Sequence, residues 1–119
     1  MGAIHVTVNL SWPEANGDYE ELFLVDTGAT DSMVPASKLL ELGFKPVGKM
    51  DYELANGDKV TYQYSGAIIK FLGDTTFGRI IFGPDNCEPI LGVTALESTG
   101  IIIDPSNRQL KRLPAIPLK

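Results

Sequence analysis

The feature that most constrains the fold of this chain is a succession of short apolar runs separated by Gly, Asn, Asp and Pro. The first run, AIHVTVNLSW, alternates with a period of two, and YEELFLVD follows it after the turn-like EANGD. A period of two places alternate side chains on one face of a β-strand, and Asn-Gly pairs favour hairpin turns. The sequence therefore predicts two strands joined by a turn at its start.

The rest of the chain continues in the same way. The segment MDYELANGDKVTYQYSGAIIKFLG predicts two strands joined at Asn56-Gly57, and TTFGRIIFG and PILG predict two more. The segment IIIDPSNRQLKRL predicts a last hairpin with its turn at residues 104–107. Most of the chain is therefore expected to be β-structure.

Two segments favour helices instead. In PASKLLELG, Pro35 suits the first helical position and Gly43 can end the helix. The leucines between them are expected to form an apolar side, at Leu39, Leu40 and Leu42. The segment VTALEST predicts a second short helix. Since no repeat or linker interrupts the pattern, we expect one all-β domain over residues 1–119 with one or two short helices.

Composition excludes several classes of function. With 119 residues, of which 44% are hydrophobic, the chain can bury a core as a soluble globular domain does. The net charge is −5 and the basic residues are scattered, which argues against a nucleic-acid partner. No apolar run approaches the ~20 residues of a membrane span, and the first residues lack the pattern of a signal peptide. We therefore expect a cytoplasmic protein with no membrane partner.

Cysteine and histidine each occur once. Cys87 has no second cysteine with which to form an intrachain disulfide, and a nucleophilic pair or triad would have to use His5, close to the N-terminus. No His/Cys cluster has the spacing of zinc ligands, and a carboxylate metal site lacks a compact Asp/Glu pattern. We therefore expect neither a metal nor a cofactor.

The segment LFLVDTGATDSMV carries the most unusual local feature, because an apolar strand ends on the carboxylate of Asp26. A carboxylate in this position costs free energy unless it is paired. The hydroxyl of Thr27 can lock a tight turn, and Gly28 permits backbone approaches that a side chain would block. The tripeptide is either a structural turn or a turn that presents Asp26 at the floor of a cleft.

A second segment favours the active-site interpretation. LVDTGAT resembles the active-site strand and loop of aspartic proteases, and Ile90-Leu91-Gly92 followed by VTALES resembles the segment that packs beside that loop. The separation of the two is similar to that in single-lobe, retropepsin-like members of clan AA. The resemblance extends from Tyr19 to Leu113 and implies the single-lobe acid-protease fold, which is a closed β-barrel.

The resemblance also implies a set of site residues, with Asp26 as the catalytic carboxylate. The hairpin YELANGDKVTY lies where the family has the flap that covers its substrate. The other implied residues are Thr27, Gly28, Ala29 and Thr30 as supports of the catalytic loop, Leu54, Ala55, Asn56, Gly57 and Asp58 as flap and substrate-binding residues, and Ile90, Leu91 and Gly92 as the loop-packing motif.

The chain departs from the retroviral pattern at two places. Retroviral members have an Asp and an Arg that pair near their dimer interface, whereas this chain has Thr30 and Val93 at the matching positions. The terminal LPAIPLK contains Pro114 and Pro117, which cannot donate backbone hydrogen bonds. We therefore do not expect the interleaved sheet of chain ends that joins retroviral subunits.

Peptide hydrolysis by this route needs two carboxylates around one water molecule, but Asp26 is the only aspartate followed by Thr-Gly. A twofold homodimer brings the same residue of two chains together. The sequence thus predicts a homodimeric aspartic endopeptidase that acts on a peptide or protein substrate. The alternative is a catalytically inactive retropepsin-like module for dimerisation or peptide binding.

Overall fold

The structure is a computed structural model that describes residues 3–118. The chain in this range is mostly strand, as the sequence predicts. Its elements are β1 (His5–Ser11), β2 (Tyr19–Asp26), β3 (Ser32–Pro35), α1 (Ala36–Glu41), β4 (Gly48–Glu53), β5 (Lys59–Phe71), β6 (Asp74–Gly83), β7 (Ile90–Gly92), α2 (Val93–Ser98), β8 (Ile101–Asp104) and β9 (Gln109–Arg112).

Six of these strands form a closed barrel. They are hydrogen-bonded in the order β1-β2-β7-β3-β6-β5, and β5 pairs back with β1 through Leu10 and Ile69. The strand β4 extends the sheet from β5, and β8 and β9 form a separate two-stranded sheet. This arrangement confirms the expected all-β, single-lobe acid-protease fold with two short helices.

The barrel closes around an apolar core because alternate residues of its strands point inward. On β1, Val6, Val8 and Leu10 are buried, and the polar residues between them are not. The core also contains Phe23 of β2 and Leu91 of β7, so the two strands that meet at Asp26 are anchored from inside. Full burial of an aliphatic or Phe side chain of this size contributes about 1.5–3 kcal/mol.

The helix α1 differs from its prediction at its first residue and in its apolar side, and agrees with it at its end. Pro35 is the last residue of β3 and caps the helix with an extended backbone, ψ 134°, so it is not the first helical residue. Leu39 is buried, but Leu40 is 56% exposed, because successive helical residues point about 100° apart. Gly43 ends the segment as predicted, with a left-handed φ of +92°.

The strand β3 was absent from the sequence prediction. It has four residues, pairs in parallel with β6, and pairs antiparallel with β7 at Met33. A strand this short carries too little periodicity to be recognised. Its position matters for the site, because it fixes the chain that leaves the loop after Asp26.

The predicted terminal hairpin is present as β8 and β9, which pair from Ile101↔Arg112 to Asp104↔Gln109. Arg112 attaches it to the barrel by an ion pair with Asp74 and a hydrogen bond of 2.8 Å to the Leu72 carbonyl. Neither helix in residues 3–118 has the length and apolar character needed to cross a bilayer.

Candidate active site

The candidate site is built where β2 and β7 end side by side. The two strands are parallel, with Leu24 opposite Ile90, Val25 opposite Leu91 and Asp26 opposite Gly92. Val25 and Leu91 are buried, whereas Asp26 is only half-buried. The carboxylate therefore stands at the rim of the core, where the strand gives way to a turn.

The turn after Asp26 is stabilised by Asp26 itself. The Gly28 amide donates to Asp26 Oδ1 at 3.0 Å, and the Ala29 amide donates to the Asp26 carbonyl at 3.1 Å. The prediction that the Thr27 hydroxyl locks this turn is wrong, because Thr27 is exposed and the hydroxyl makes no hydrogen bond within residues 3–118. The carboxylate performs that task because it lies two residues before a free amide.

The segment Ile90-Leu91-Gly92 packs beside this turn, as predicted. A Cβ atom on Gly92 would lie 2.6 Å from the Asp31 carbonyl carbon and 2.8 Å from the Thr30 carbonyl oxygen. After Gly92, the Val93 amide donates to the Ala29 carbonyl at 2.8 Å, and the Thr94 amide donates to the Thr30 carbonyl at 3.1 Å. The start of α2 thus holds residues 26–31, the Asp26 loop, from one side.

Sequence reasoning missed Ser32, which secures the same contact. Its side chain is buried, and its Oγ accepts a hydrogen bond of 3.0 Å from the Gly92 amide. A buried hydroxyl needs such a partner. The signal available in the sequence was a small polar residue directly before the apolar pair Met33-Val34.

The predicted flap residues lie on the turn between β4 and β5. In this flap turn (Leu54–Asp58), the Leu54 amide donates to the Asp58 carbonyl at 2.7 Å and the Gly57 amide donates to the Leu54 carbonyl at 2.9 Å. Gly57 has a left-handed φ of +92°, which explains the requirement for glycine there. All five residues are exposed. We refer to β4, β5 and this turn together as the flap hairpin.

A cleft of about 510 Å³ separates the flap hairpin from the Asp26 loop. The loop contributes four residues and the flap turn two, whereas Asp26, Thr27 and Asn56–Asp58 lie outside the wall. The lining residues are Gly28, Ala29, Thr30, Asp31, Met33, Asp51, Tyr52, Glu53, Leu54, Ala55, Tyr62, Ile81 and Ile90.

Two residues outside the predicted set of site residues join opposite walls of the cleft. The Tyr52 hydroxyl, on β4, donates to Asp31 Oδ2 at 2.7 Å. Burial, the hydrogen bond to Asp31 and the negative charge of Asp31 raise the pKa of Tyr52 to about 12, against the opposing effect of Arg79. The phenol therefore remains a hydrogen-bond donor at neutral pH.

Comparison with known proteins agrees with this geometry. The barrel and the paired β2 and β7 ends define an acid-protease lobe. A family model described as aspartyl protease matches residues 12–93, which is more than half of the chain and extends from Trp12 to the start of α2. The chain belongs to this aspartyl protease family. A search of curated proteins gives no match.

Proposed function

We propose that the protein is an aspartic endopeptidase in which Asp26 from each of two subunits activates one water molecule. The observation that carries the proposal is the position of Asp26. It ends β2 opposite Gly92, and its exposed loop forms one wall of a peptide-sized cleft. Membership of the aspartyl protease family supports the same chemistry.

The proposal requires a homodimer because each chain supplies one Asp-Thr-Gly. A twofold axis beside the Asp26 loop would bring the two carboxylates together, as an isologous interface does. The exposure of Thr27 and Gly28 supports an interface at this place, since their surfaces remain free to meet a second copy. Thr27 would then brace the two loops across the axis, and Gly28 would offer its backbone to the substrate.

In such a dyad the two carboxylates share one proton. The ionised one accepts a proton from water as the water attacks the peptide carbonyl. The other donates its proton to the carbonyl oxygen and later helps the amine to leave. In each chain the Gly28 amide would hold one oxygen of Asp26 in a fixed orientation, so the second oxygen can face the water.

The test is Asp26→Asn, with Asp18→Asn as the matched control. Asp18 lies exposed in the loop between β1 and β2, outside the cleft wall. An amide cannot take the proton from water, so we expect cleavage of an unfolded protein substrate to fall by roughly a hundred- to ten-thousandfold. The dimer should remain within about 1 kcal/mol of the parent or become more stable, because the repulsion between two carboxylates is relieved.

Activity should be measured across pH, with mass in solution measured in parallel. Loss of activity in Asp26→Asn, with parental activity in Asp18→Asn, supports the dyad. A parent that dimerises and binds peptides without cleaving them supports the alternative, an inactive module for dimerisation or peptide binding. If Asp26→Asn unfolds the chain while the folded fraction stays active, the carboxylate is a structural turn element and the proposal is wrong.

A further inference from the structure

A side-chain hydrogen bond joins the flap hairpin to the Asp26 loop. It runs from the Tyr52 hydroxyl to Asp31 Oδ2, residues 21 positions apart, and is partly buried. Other polar side chains of the hairpin bond locally, since Asp51 accepts from Thr61 and Asn56 bonds with Asp58. The Tyr52–Asp31 contact therefore crosses the cleft, whereas these other bonds shape the hairpin itself.

The lower end of this contact is firmly held. The backbone of Asp31 packs so closely against Gly92 that no Cβ fits between them, and the neighbouring Thr30 carbonyl accepts from the Thr94 amide. Ser32, the next residue, is buried and bonded to the Gly92 amide. The Asp31 carboxylate is thus a fixed point beside the loop that carries Asp26.

The upper end lies on the least supported strand of the sheet. Within residues 3–118, β4 pairs with β5 alone, and Tyr52 stands opposite Val60, two residues before the flap turn. A strand with one neighbour can swing with its turn, so a bond at this position restricts the height of the turn above the loop. Tyr52 and Asp31 both line the cleft, so the bond between them also limits how wide the cleft can become.

We propose that Tyr52 is a positioning residue whose hydrogen bond to Asp31 holds the flap hairpin at a set distance above the Asp26 loop and thereby fixes the space available to a bound peptide. The inference rests on the proposed endopeptidase function for the identity of the bound molecule. The contact itself and its effect on the hairpin do not depend on turnover, so they are testable on inactive protein.

The first test is amide hydrogen exchange over residues 52–60 in Tyr52→Phe, which removes only the hydroxyl. Tyr19→Phe is the matched control, because Tyr19 begins β2 outside the cleft wall. We expect exchange in this segment to become about tenfold faster in Tyr52→Phe, which corresponds to about 1.4 kcal/mol, and to stay at the parental rate in Tyr19→Phe. Equal rates in parent and Tyr52→Phe, or equal acceleration in both variants, would overturn the proposal.

A double-mutant cycle separates the bond from other effects of the two residues. Asp31→Ala should accelerate exchange as Tyr52→Phe does, and combining them should add nothing, because both remove one interaction. Asp31→Asn keeps an oxygen that can accept the bond and should retain most of the protection. Additive acceleration in the double variant would show that the residues act separately and would overturn the proposal.

Kinetics of peptide cleavage then test the consequence for substrate. A hairpin that is held less firmly should weaken substrate and transition-state binding alike, so Tyr52→Phe should raise KM about tenfold and leave kcat nearly unchanged. A fall in kcat at constant KM would overturn the positioning role. If the parent shows no cleavage at all, the endopeptidase proposal fails, and the exchange experiments still decide whether Tyr52 positions the hairpin.

Discussion

At the scale of single residues, Asp26 shows how a carboxylate can end a core strand at small cost. Its neighbour Val25 is buried, but Asp26 itself is half-exposed, and one oxygen accepts the Gly28 amide at 3.0 Å. A carboxylate that receives a backbone hydrogen bond and keeps contact with water avoids most of the penalty of burial. The fold therefore tolerates Asp26 without requiring its charge, which is why the amide variant should fold.

Gly92 gives a sharper prediction at the same scale. In Gly92→Ala the new methyl would meet backbone atoms of Thr30 and Asp31 at 2.6–2.8 Å, and backbone cannot rotate away as a side chain can. We expect the free energy of unfolding to fall by about 2 kcal/mol, as for other overpacked sites, measured by urea denaturation.

Gly78→Ala is the matched control for that experiment. Gly78 lies on β6 and a Cβ there would have its nearest neighbour at 3.9 Å, the Cδ1 atom of Ile69. Its stability should stay within about 0.5 kcal/mol of the parent. If both variants lose the same free energy, the close packing of Gly92 against the Asp26 loop does not contribute to stability.

At the scale of elements, the flap hairpin is built to be less stable than the barrel. Its turn residues are all exposed, and β4 has one strand neighbour within the described chain. Segments with few buried contacts open at low free energy. The hairpin is thus the element of the cleft wall best suited to move when a peptide enters.

This leads to a prediction for inhibitor binding. Amide exchange over Ala55–Lys59 should slow when a pepstatin-like peptide inhibitor binds, because the flap turn then covers the ligand and loses contact with water. The β5–β6 turn at Leu72–Gly73 is the internal control, since it is also a hairpin turn with positive φ, at Leu72 and Gly73, but lies outside the cleft wall. Unchanged exchange at the flap turn in the presence of a tightly bound inhibitor would argue against a mobile flap.

At the scale of the whole molecule, the proposed active site is half a site in each chain. Activity per chain should therefore fall on dilution below the dissociation constant of the dimer. Thr27→Ala leaves both carboxylates in place but removes the exposed hydroxyl beside the proposed axis. We expect it to raise the dissociation constant about tenfold, measured by analytical ultracentrifugation, with activity falling in parallel and recovering at higher protein concentration.

Thr7→Ala serves as the control, because Thr7 is an exposed threonine on β1, away from the Asp26 loop in sequence and outside the cleft wall. It should dimerise and cleave as the parent does. Activity that is independent of protein concentration in both parent and Thr27→Ala would mean that one chain suffices, and the dyad from two subunits would be wrong.

The sequence by itself determined the elements whose physical causes are local. The alternation in β1 and the glycines of the turns depend on side-chain period and on permitted backbone angles, and these act over a few residues. The motifs around Asp26 and Gly92 were recognisable by their resemblance to a known family, since each motif is a continuous run of a few residues. The strand bounds of β2, Tyr19–Asp26, were therefore predicted to the residue.

Only the tertiary structure decided what distant segments do to one another. It supplied the four-residue strand β3, the buried role of Ser32, and the use of the Asp26 carboxylate, instead of the Thr27 hydroxyl, to hold the loop. It also placed Tyr52 against Asp31 across the cleft. The bonds of Ser32 to Gly92 and of Tyr52 to Asp31 depend on distances set by barrel closure, and barrel closure depends on register between strands far apart in sequence. The Asp26–Gly28 bond is local, but a sequence that offers both a carboxylate and a hydroxyl to one turn does not decide which of them is used.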